Sequence, residues 1–172
     1  MKLKKGFIGL KIGILTILKF NNYGAELQAF ALQKKLNDLN FNAEIIDYLY
    51  YKHKDYLYTK SARPFVAIGV KRRFKEFFGP LLHKLKSLPF RKATANRESK
   101  FEEFHKLHTK ISPETYNSID ALYQAKFNYD VFVVGSDQVW NPYTNVSLNP
   151  YFLTFVPAGI MKISYASSFG VS

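Results

Sequence analysis

The chain has 172 residues, which is enough for one domain and at most a small extension. Hydrophobic residues make up 47% of it and aromatic residues 17%, so it can build a buried core and is not generally disordered. It contains no cysteine, which excludes disulfides, thiolate metal sites and a cysteine nucleophile and fits a reducing compartment.

The net charge of +12 is concentrated in one segment of the chain. Residues 52–110 carry 16 Lys/Arg and 5 Asp/Glu, whereas the rest of the chain carries 9 Lys/Arg and 8 Asp/Glu. A basic protein can bind nucleic acid, but no RNA- or DNA-binding motif accompanies this charge. We therefore expect no nucleic-acid partner. We treat residues 52–110 as a basic helical insertion in a single domain that spans residues 1–172.

The amino-terminal residues are basic and precede an apolar run, which is the pattern of a signal peptide. Lys11 and Lys19 interrupt this run, however, and no small-residue cleavage site follows it. No stretch approaches the roughly 20 apolar residues that a membrane-spanning helix needs. We expect a cytoplasmic protein, with peripheral membrane contact as the open alternative.

The first 48 residues contain the pattern of a βαβ unit. Residues 11–18 form a short apolar run rich in β-branched side chains, which predicts a buried strand. Turn residues follow at 21–24, and apolar residues then recur at near-helical spacing through residues 25–39. Residues 43–48 predict a second strand. The two strands should be parallel and joined by a right-handed crossover.

The basic middle of the chain is rich in aromatic residues. Residues 48–58 include five tyrosines, which suit either a covering loop or a surface that stacks on glycans or bases. Residues 66–88 and 92–108 have apolar side chains near helical spacing, with a break expected at Gly79 and Pro80. Such helices either cover a sheet with their lysines in solvent, which we favour, or lie on an anionic membrane.

The last third of the chain returns to strand patterns. Residues 118–125 predict a short helix, and residues 130–134 (DVFVV) form the clearest strand. A loop of hydrogen-bonding groups follows directly at residues 135–141 (GSDQVWN), and residues 162–166 predict a further strand. Alternating strands and helices predict an α/β fold, with a Rossmann-like parallel sheet and flanking helices.

Ligands of open parallel sheets bind at the carboxyl ends of the strands, where three predicted loops of this chain meet. The first loop, residues 21–28, places backbone N–H groups at a helix start. The second loop, residues 135–141, has a carboxylate and amides beside the only tryptophan. The third loop, residues 164–170, has small residues. We predict Asp137 as a candidate general base. The predicted substrate-binding residues are Asn21, Asn22, Tyr23, Gly24, Gly135, Ser136, Gln138, Trp140, Asn141, Ser167 and Ser168.

Structural explanations exist for some of these residues as well. Helix capping accounts for one asparagine of the first loop, and a hydrogen-bonded turn with Trp140 as a buried anchor accounts for the second loop. No dinucleotide fingerprint and no P-loop is present. His105 and His108 could share a helix face, but no third ligand is evident, so we expect solvated histidines and no metal site.

In their order and spacing, five segments of the chain resemble the polysaccharide pyruvyl transferase family. They are residues 11–16, 22–32, 45–48, 129–141 and 164–170. The resemblance implies transfer of a pyruvyl group from phosphoenolpyruvate to sugar hydroxyls as a ketal, in the synthesis of surface polysaccharide of the cell envelope. It also implies a fold like the N-terminal domain of a two-domain GT-B enzyme, a glycan or glycolipid acceptor, and no cofactor beyond phosphoenolpyruvate as donor substrate.

The sequence departs from the family where members continue into a second domain, which holds most of their donor-binding Arg and His residues. We therefore expect a truncated N-terminal half that is inactive alone and needs the missing C-terminal domain or a separate partner chain. Whether the chain itself is an enzyme stays open. The alternative is a non-catalytic module that binds glycan or a partner.

Overall fold

A computed structural model describes residues 9–19, 22–50, 91–142 and 147–170 of the chain. The predictions for Asn21, for the tyrosines at 51–58 and for a helix within residues 66–88 lie outside these described residues.

Five strands form one parallel sheet in the order β3-β2-β1-β4-β5. The strands are β1 (Lys11–Leu15), β2 (Asn42–Tyr48), β3 (Ile111–Tyr116), β4 (Val131–Asp137) and β5 (Met161–Ser167). The helices of the described part are α1 (Tyr23–Asp38), α2 (Arg91–His108) and α3 (Ile119–Gln124). The predicted Rossmann-like α/β architecture is confirmed.

The predicted βαβ unit is confirmed, with β1 and β2 paired in parallel and α1 between them. Asn22 caps α1, since its Oδ1 accepts hydrogen bonds from the backbone N–H groups of Gly24 at 2.9 Å and Ala25 at 3.4 Å. At the other end Asn40, with φ at 66°, turns the chain towards β2. The first strand ends at Leu15, three residues earlier than the sequence predicts.

Side chains of the central strands alternate between two apolar layers, because successive residues of a strand point to opposite faces. Val131 and Val133 of β4 pack in the layer that contains Leu32 of α1. Phe132, between them, faces a second layer that contains Tyr151. Burial of each such side chain contributes roughly 1.5–3 kcal/mol, and the two layers hold the central strands in place.

The sequence does not predict β3, because the segment ISPETY contains a proline and only two large apolar residues. The structure explains why the strand forms nevertheless. Within the described part of the chain, β3 lies at the edge of the sheet and pairs with β2 alone. Edge strands tolerate a proline such as Pro113. The sheet therefore has five strands where the sequence predicts four.

Helix α2 begins within one residue of its predicted start and ends at the predicted residue. Its aromatic rings contact α1: Phe101 lies 4.8 Å from Tyr23, and Phe104 lies 5.5 Å from Phe30, measured between ring centroids. Leu107 of the same helix is 66% exposed. The ring contacts thus fix α2 against α1. None of the helices in the described ranges is long and apolar enough to cross a bilayer.

Candidate functional site

The carboxyl ends of β4 and β5 lie side by side, because the strand register pairs Gly135 with Tyr165 and Asp137 with Ser167. β4 therefore runs three residues further than predicted, and the first part of the predicted loop is strand. Gly135 has φ at 117°, and a Cβ atom there would lie 2.1 Å from the carbonyl oxygen of Tyr165. In the sequence, Gly135 suggests a turn. In the structure, its lack of a side chain allows β4 and β5 to lie close together.

Direct contacts tie the three predicted loops together. Gln28 of α1 donates from Nε2 to Thr16 Oγ1 at 2.9 Å, and its Oε1 accepts a hydrogen bond from the Ser136 hydroxyl. The Ser168 N–H donates to the carbonyl oxygen of Asp137 at 3.0 Å. Gln28 was not among the predicted site residues. It is the last residue of the predicted first loop, residues 21–28, and this position is the sequence signal that could have identified it.

Asp137 ends β4 in the left-handed conformation, with φ at 77°, and its side chain is partly exposed. The backbone of this residue is held by Ser168, but no hydrogen bond or ion pair with another described residue involves its carboxylate. A carboxylate accepts hydrogen bonds only, and this one is open to a ligand hydroxyl. The geometry is compatible with the predicted role of a base.

The other polar residues of this edge bond largely to one another. The amide of Asn141 donates to Oε1 of Gln138 at 3.1 Å, and the Ser167 hydroxyl donates to the Val134 carbonyl at 3.2 Å. Gly170 brings the third loop against the Gln138 side chain, since a Cβ atom there would lie 2.4 Å from Oε1. These contacts give the second and third loops a fixed arrangement around Asp137.

Trp140 serves as an anchor, which was one of the two interpretations of its loop. Its indole Nε1 donates to the carbonyl oxygen of Tyr151 at 2.9 Å. Its ring lies 5.6 Å from that of Phe152 and 5.5 Å from that of Phe169, between centroids. Phe152 and Phe169 are 48% and 52% exposed, and the sequence analysis did not predict them as site residues. Together they present an aromatic surface beside the second and third loops.

The first loop contributes in a different way. Tyr23 is 60% exposed, and it contacts the ring of Phe101 while the guanidinium of Arg97 lies 5.1 Å from its centroid. Asn22 uses its side-chain oxygen Oδ1 to cap α1, so helix capping explains this asparagine. A Cβ atom at Gly24 would lie 3.3 Å from Oδ1 of Asn22, which is a tight contact with the capping side chain. The contacts of Asn22 and Tyr23 fix the start of α1 near the site.

The prediction of solvated histidines is wrong for His105. This residue is buried, and its Nε2 lies 2.9 Å from Oε2 of Glu26, which is also buried. A carboxylate on α1 thus provides the partner that allows an imidazole of α2 to leave solvent. His108 is exposed and contacts the ring of Phe104. Within the described residues no group of three or more metal-binding side chains occurs.

A family model described as polysaccharide pyruvyl transferase matches residues 22–172. The match includes Asn22 and the whole of the second and third loops. No curated protein and no solved structure matches the chain.

Proposed function

The chain belongs to the polysaccharide pyruvyl transferase family, and we propose that the carboxyl edge of β4 and β5 is the acceptor side of a pyruvyl transfer site. The donor is phosphoenolpyruvate, and the acceptor is a sugar of a glycan or glycolipid in surface polysaccharide synthesis. The site would act in the cytoplasm or at the membrane surface.

The proposed reaction forms a cyclic ketal across two sugar hydroxyls. One hydroxyl adds to the enol carbon of phosphoenolpyruvate, while the methylene group takes up a proton and becomes a methyl group. The second hydroxyl then displaces phosphate from the same carbon. Each hydroxyl loses its proton, so the site needs a base near the acceptor, an acid near the methylene group, and cations for the phosphate and carboxylate.

The observation that carries the proposal is the open carboxylate of Asp137 at the meeting point of the second and third loops. Asp137 would accept the proton of the attacking hydroxyl. Gln138 and Asn141 would hydrogen-bond to the sugar ring through their amides. Phe169 and Phe152 would cover its C–H face, since aromatic rings offer apolar area to a sugar.

The remaining predicted residues would shape the site. Gly135, Ser136, Ser167 and Ser168 would form its floor through their mutual backbone and hydroxyl contacts. Trp140 would hold the second loop in place. The described predicted residues of the first loop, Asn22, Tyr23 and Gly24, would form the opposite wall. Under this proposal each predicted residue acts either by contact with the sugar or by holding a residue that makes such contact.

The donor would be bound elsewhere. The described side chains of this edge are amides, hydroxyls, aromatic rings and a carboxylate, which suit an uncharged acceptor better than an anionic donor. We propose that a second domain, arranged as in GT-B enzymes, or a separate partner chain provides the cations for phosphoenolpyruvate. The acid that protonates the methylene group would come from the same source.

The test is release of phosphate from phosphoenolpyruvate with a panel of glycan acceptors, together with NMR detection of the ketal methyl group. The chain is assayed alone and with the second domain of a family member added in trans. We expect turnover only with the added domain. Asp137→Asn should lower it by about 10²–10⁴-fold, the range of general base catalysis.

Asp38→Asn is the matched control, because Asp38 is exposed at the end of α1 away from the site and, among the described residues, pairs with Lys34 alone. It should leave turnover unchanged. Equal turnover by the Asp137 and Asp38 variants would contradict the role of Asp137. Sugar binding without turnover under every condition would instead favour the non-catalytic binding module.

A further inference from the structure

An apolar groove, here called the α1–β5 groove, lies between α1 and β5 on the face of the sheet that α1 covers. Its volume is about 780 Å³, within the range of about 300–1,000 Å³ that is usual for small-molecule sites. β1 and β4 provide its floor, and β5 forms its far side. One stripe of α1 at helical spacing forms the near side: Gln28, Ala31, Leu32, Lys35, Leu36 and Leu39.

The groove is long and follows the direction of the strands. The stripe of α1 covers residues 28–39, which is a length of about 17 Å at the rise of an α-helix. On the floor, the lining residues of β4 lie between Val131 and Ser136, which is also about 17 Å at the rise of a strand. A groove of this shape suits a linear ligand better than a compact one.

The far side of the groove is open to a ligand. Met161, Ile163 and Tyr165 alternate along β5 and therefore point to the same face of the sheet. They are 52%, 41% and 57% exposed. Exposed apolar side chains that lie together mark a site where another molecule binds. A ligand can reach these three residues without displacing any part of the described protein.

The polar end of the groove is at the acceptor edge. Gln28 and Ser136 both line the groove there, and the Ser136 hydroxyl donates to Oε1 of Gln28. Ser136 also belongs to the proposed floor of the acceptor site. At the other end the lining residues are apolar, among them Leu10 and Phe41. The groove thus fits a molecule whose polar head lies at the acceptor edge and whose apolar part extends away from it.

The lining leaves little choice for the apolar part. Among the described residues that line the groove, Lys35 is the only charged one, and its exposed side chain can keep the ammonium group in solvent. A peptide along the groove would bring backbone N–H and C=O groups that need partners. Beyond Gln28 and Ser136 the lining side chains offer few such partners. A hydrocarbon chain needs none.

We propose that the α1–β5 groove holds the apolar chain of a glycolipid whose sugar head occupies the acceptor edge. Met161, Ile163 and the apolar stripe of α1 contact the chain, and the sugar extends past Ser136 to Asp137. This proposal rests on the proposed function, because it takes the sugar site from it. It narrows the acceptor from a glycan or glycolipid to a glycolipid.

The experiment is a titration of the full chain with the methyl, hexyl and octyl glycosides of glucose, galactose and mannose, each below its micelle concentration, followed by ¹H–¹⁵N NMR. For at least one sugar, the octyl glycoside should shift the amides of the acceptor edge (135–141 and 167–170) and of the groove (31–39 and 161–166) with a single Kd. Each buried methylene strengthens binding by about fourfold, so the octyl glycoside should bind about tenfold or more tightly than the hexyl glycoside.

Ile163→Glu places a carboxylate in the groove and should weaken binding of the octyl glycoside by about tenfold or more, with no effect on the methyl glycoside. Lys162→Glu is the matched control, because Lys162 is the next residue of β5, is exposed and points to the opposite face of the sheet. It should bind the octyl glycoside as the wild type does. Melting temperatures show whether both variants fold. Ala31→Leu, which narrows the groove from an exposed position of α1, provides a second test of the same loss.

Equal binding of the methyl and octyl glycosides, with shifts confined to the acceptor edge, would overturn this proposal and leave the acceptor site intact. Groove shifts that 1-octanol reproduces, without shifts at 135–141, would overturn the glycolipid and count against the acceptor site as well. The absence of saturable shifts with every glycoside would contradict both. Groove shifts that depend on protein concentration alone, with twice the monomer mass in light scattering, would assign the groove to a second copy of the chain and overturn the proposal.

Discussion

Two polar regions flank α1 at the same edge of the sheet, and they use their hydrogen-bonding groups in opposite ways. Over β4 and β5, Gln28, Ser136 and Ser168 bond to neighbouring side chains or backbone, and the carboxylate of Asp137 stays open. Under α2, His105 and Thr109 bury atoms that have no partner within the described residues. A satisfied network fixes geometry, whereas a buried polar atom without a partner costs about 1–3 kcal/mol.

The two regions should contribute differently to the stability of the fold. The β4–β5 region should be stable without a ligand, because its bonds are internal. Under α2, Thr109→Val should keep or raise the melting temperature, because the hydroxyl oxygen that it removes is buried without a partner among the described residues. Substitutions that break the internal bonds of the first region should therefore act on folding, whereas loss of the open carboxylate of Asp137 should act on binding.

The largest effect is expected from Gly135→Ala, which breaks the first region. Its φ of 117° is unfavourable for alanine, and the new Cβ would collide with the carbonyl oxygen of Tyr165. We expect a loss above about 4 kcal/mol in the free energy of unfolding, or no folded protein. Urea denaturation measures it. Gly159→Ala is the control, because its φ is also positive but its Cβ would meet nothing within 4 Å; it should lose only about 1–2 kcal/mol.

The next largest effect is expected from Glu26→Ala, which breaks the wall behind the second region. It leaves the buried imidazole of His105 without the carboxylate that lies 2.9 Å from its Nε2, and a buried polar group that loses its partner costs about 1–3 kcal/mol. Asp38→Ala removes the exposed pair with Lys34 and should lose only about 0.3–0.5 kcal/mol. Urea denaturation of the two variants compares them directly. Equal losses would show that the Glu26–His105 pair does not support the packing of α2 on α1.

Features that depend on neighbouring residues could be predicted from the sequence, and contacts between distant segments could not. The βαβ unit and β4 follow from patterns within a few neighbouring residues, and both are confirmed. The pair of Glu26 and His105 joins helices far apart in the chain, so no local pattern indicates it. β3 was missed for a related reason, because only its place at the sheet edge explains how it accommodates Pro113.

For the site as well, the sequence predicts some features and not others. The sequence placed Asp137 and Ser168 in loops at one edge of the sheet, and the structure brings them together. It could not separate the roles of Trp140 and Phe169, since both are aromatic residues next to hydrogen-bonding groups. A hydrogen bond and exposure distinguish the two residues. The indole of Trp140 donates to Tyr151, whereas the ring of Phe169 is half exposed.

A smaller pair of effects tests this separation of roles. Trp140→Phe removes the hydrogen bond from Nε1 to Tyr151 but keeps an aromatic ring, so it should lose about 1 kcal/mol of stability. Phe169→Ala should lower affinity for the sugar acceptor more than Trp140→Phe does, because its ring offers the exposed surface. Urea denaturation and acceptor titration of both variants would check this. A larger loss of affinity in the Trp140 variant, at equal stability, would reverse the two roles.

The most direct test of the acceptor site is a titration of the chain with an oligosaccharide acceptor, followed by amide shifts in ¹H–¹⁵N NMR. We predict saturable shifts at residues 135–141 and 167–170. Asp137→Asn should weaken this binding by about tenfold, while Thr109→Val should leave it unchanged. Binding that leaves residues 135–141 unshifted, or that is indifferent to Asp137→Asn, would contradict the assignment of this edge as the acceptor site.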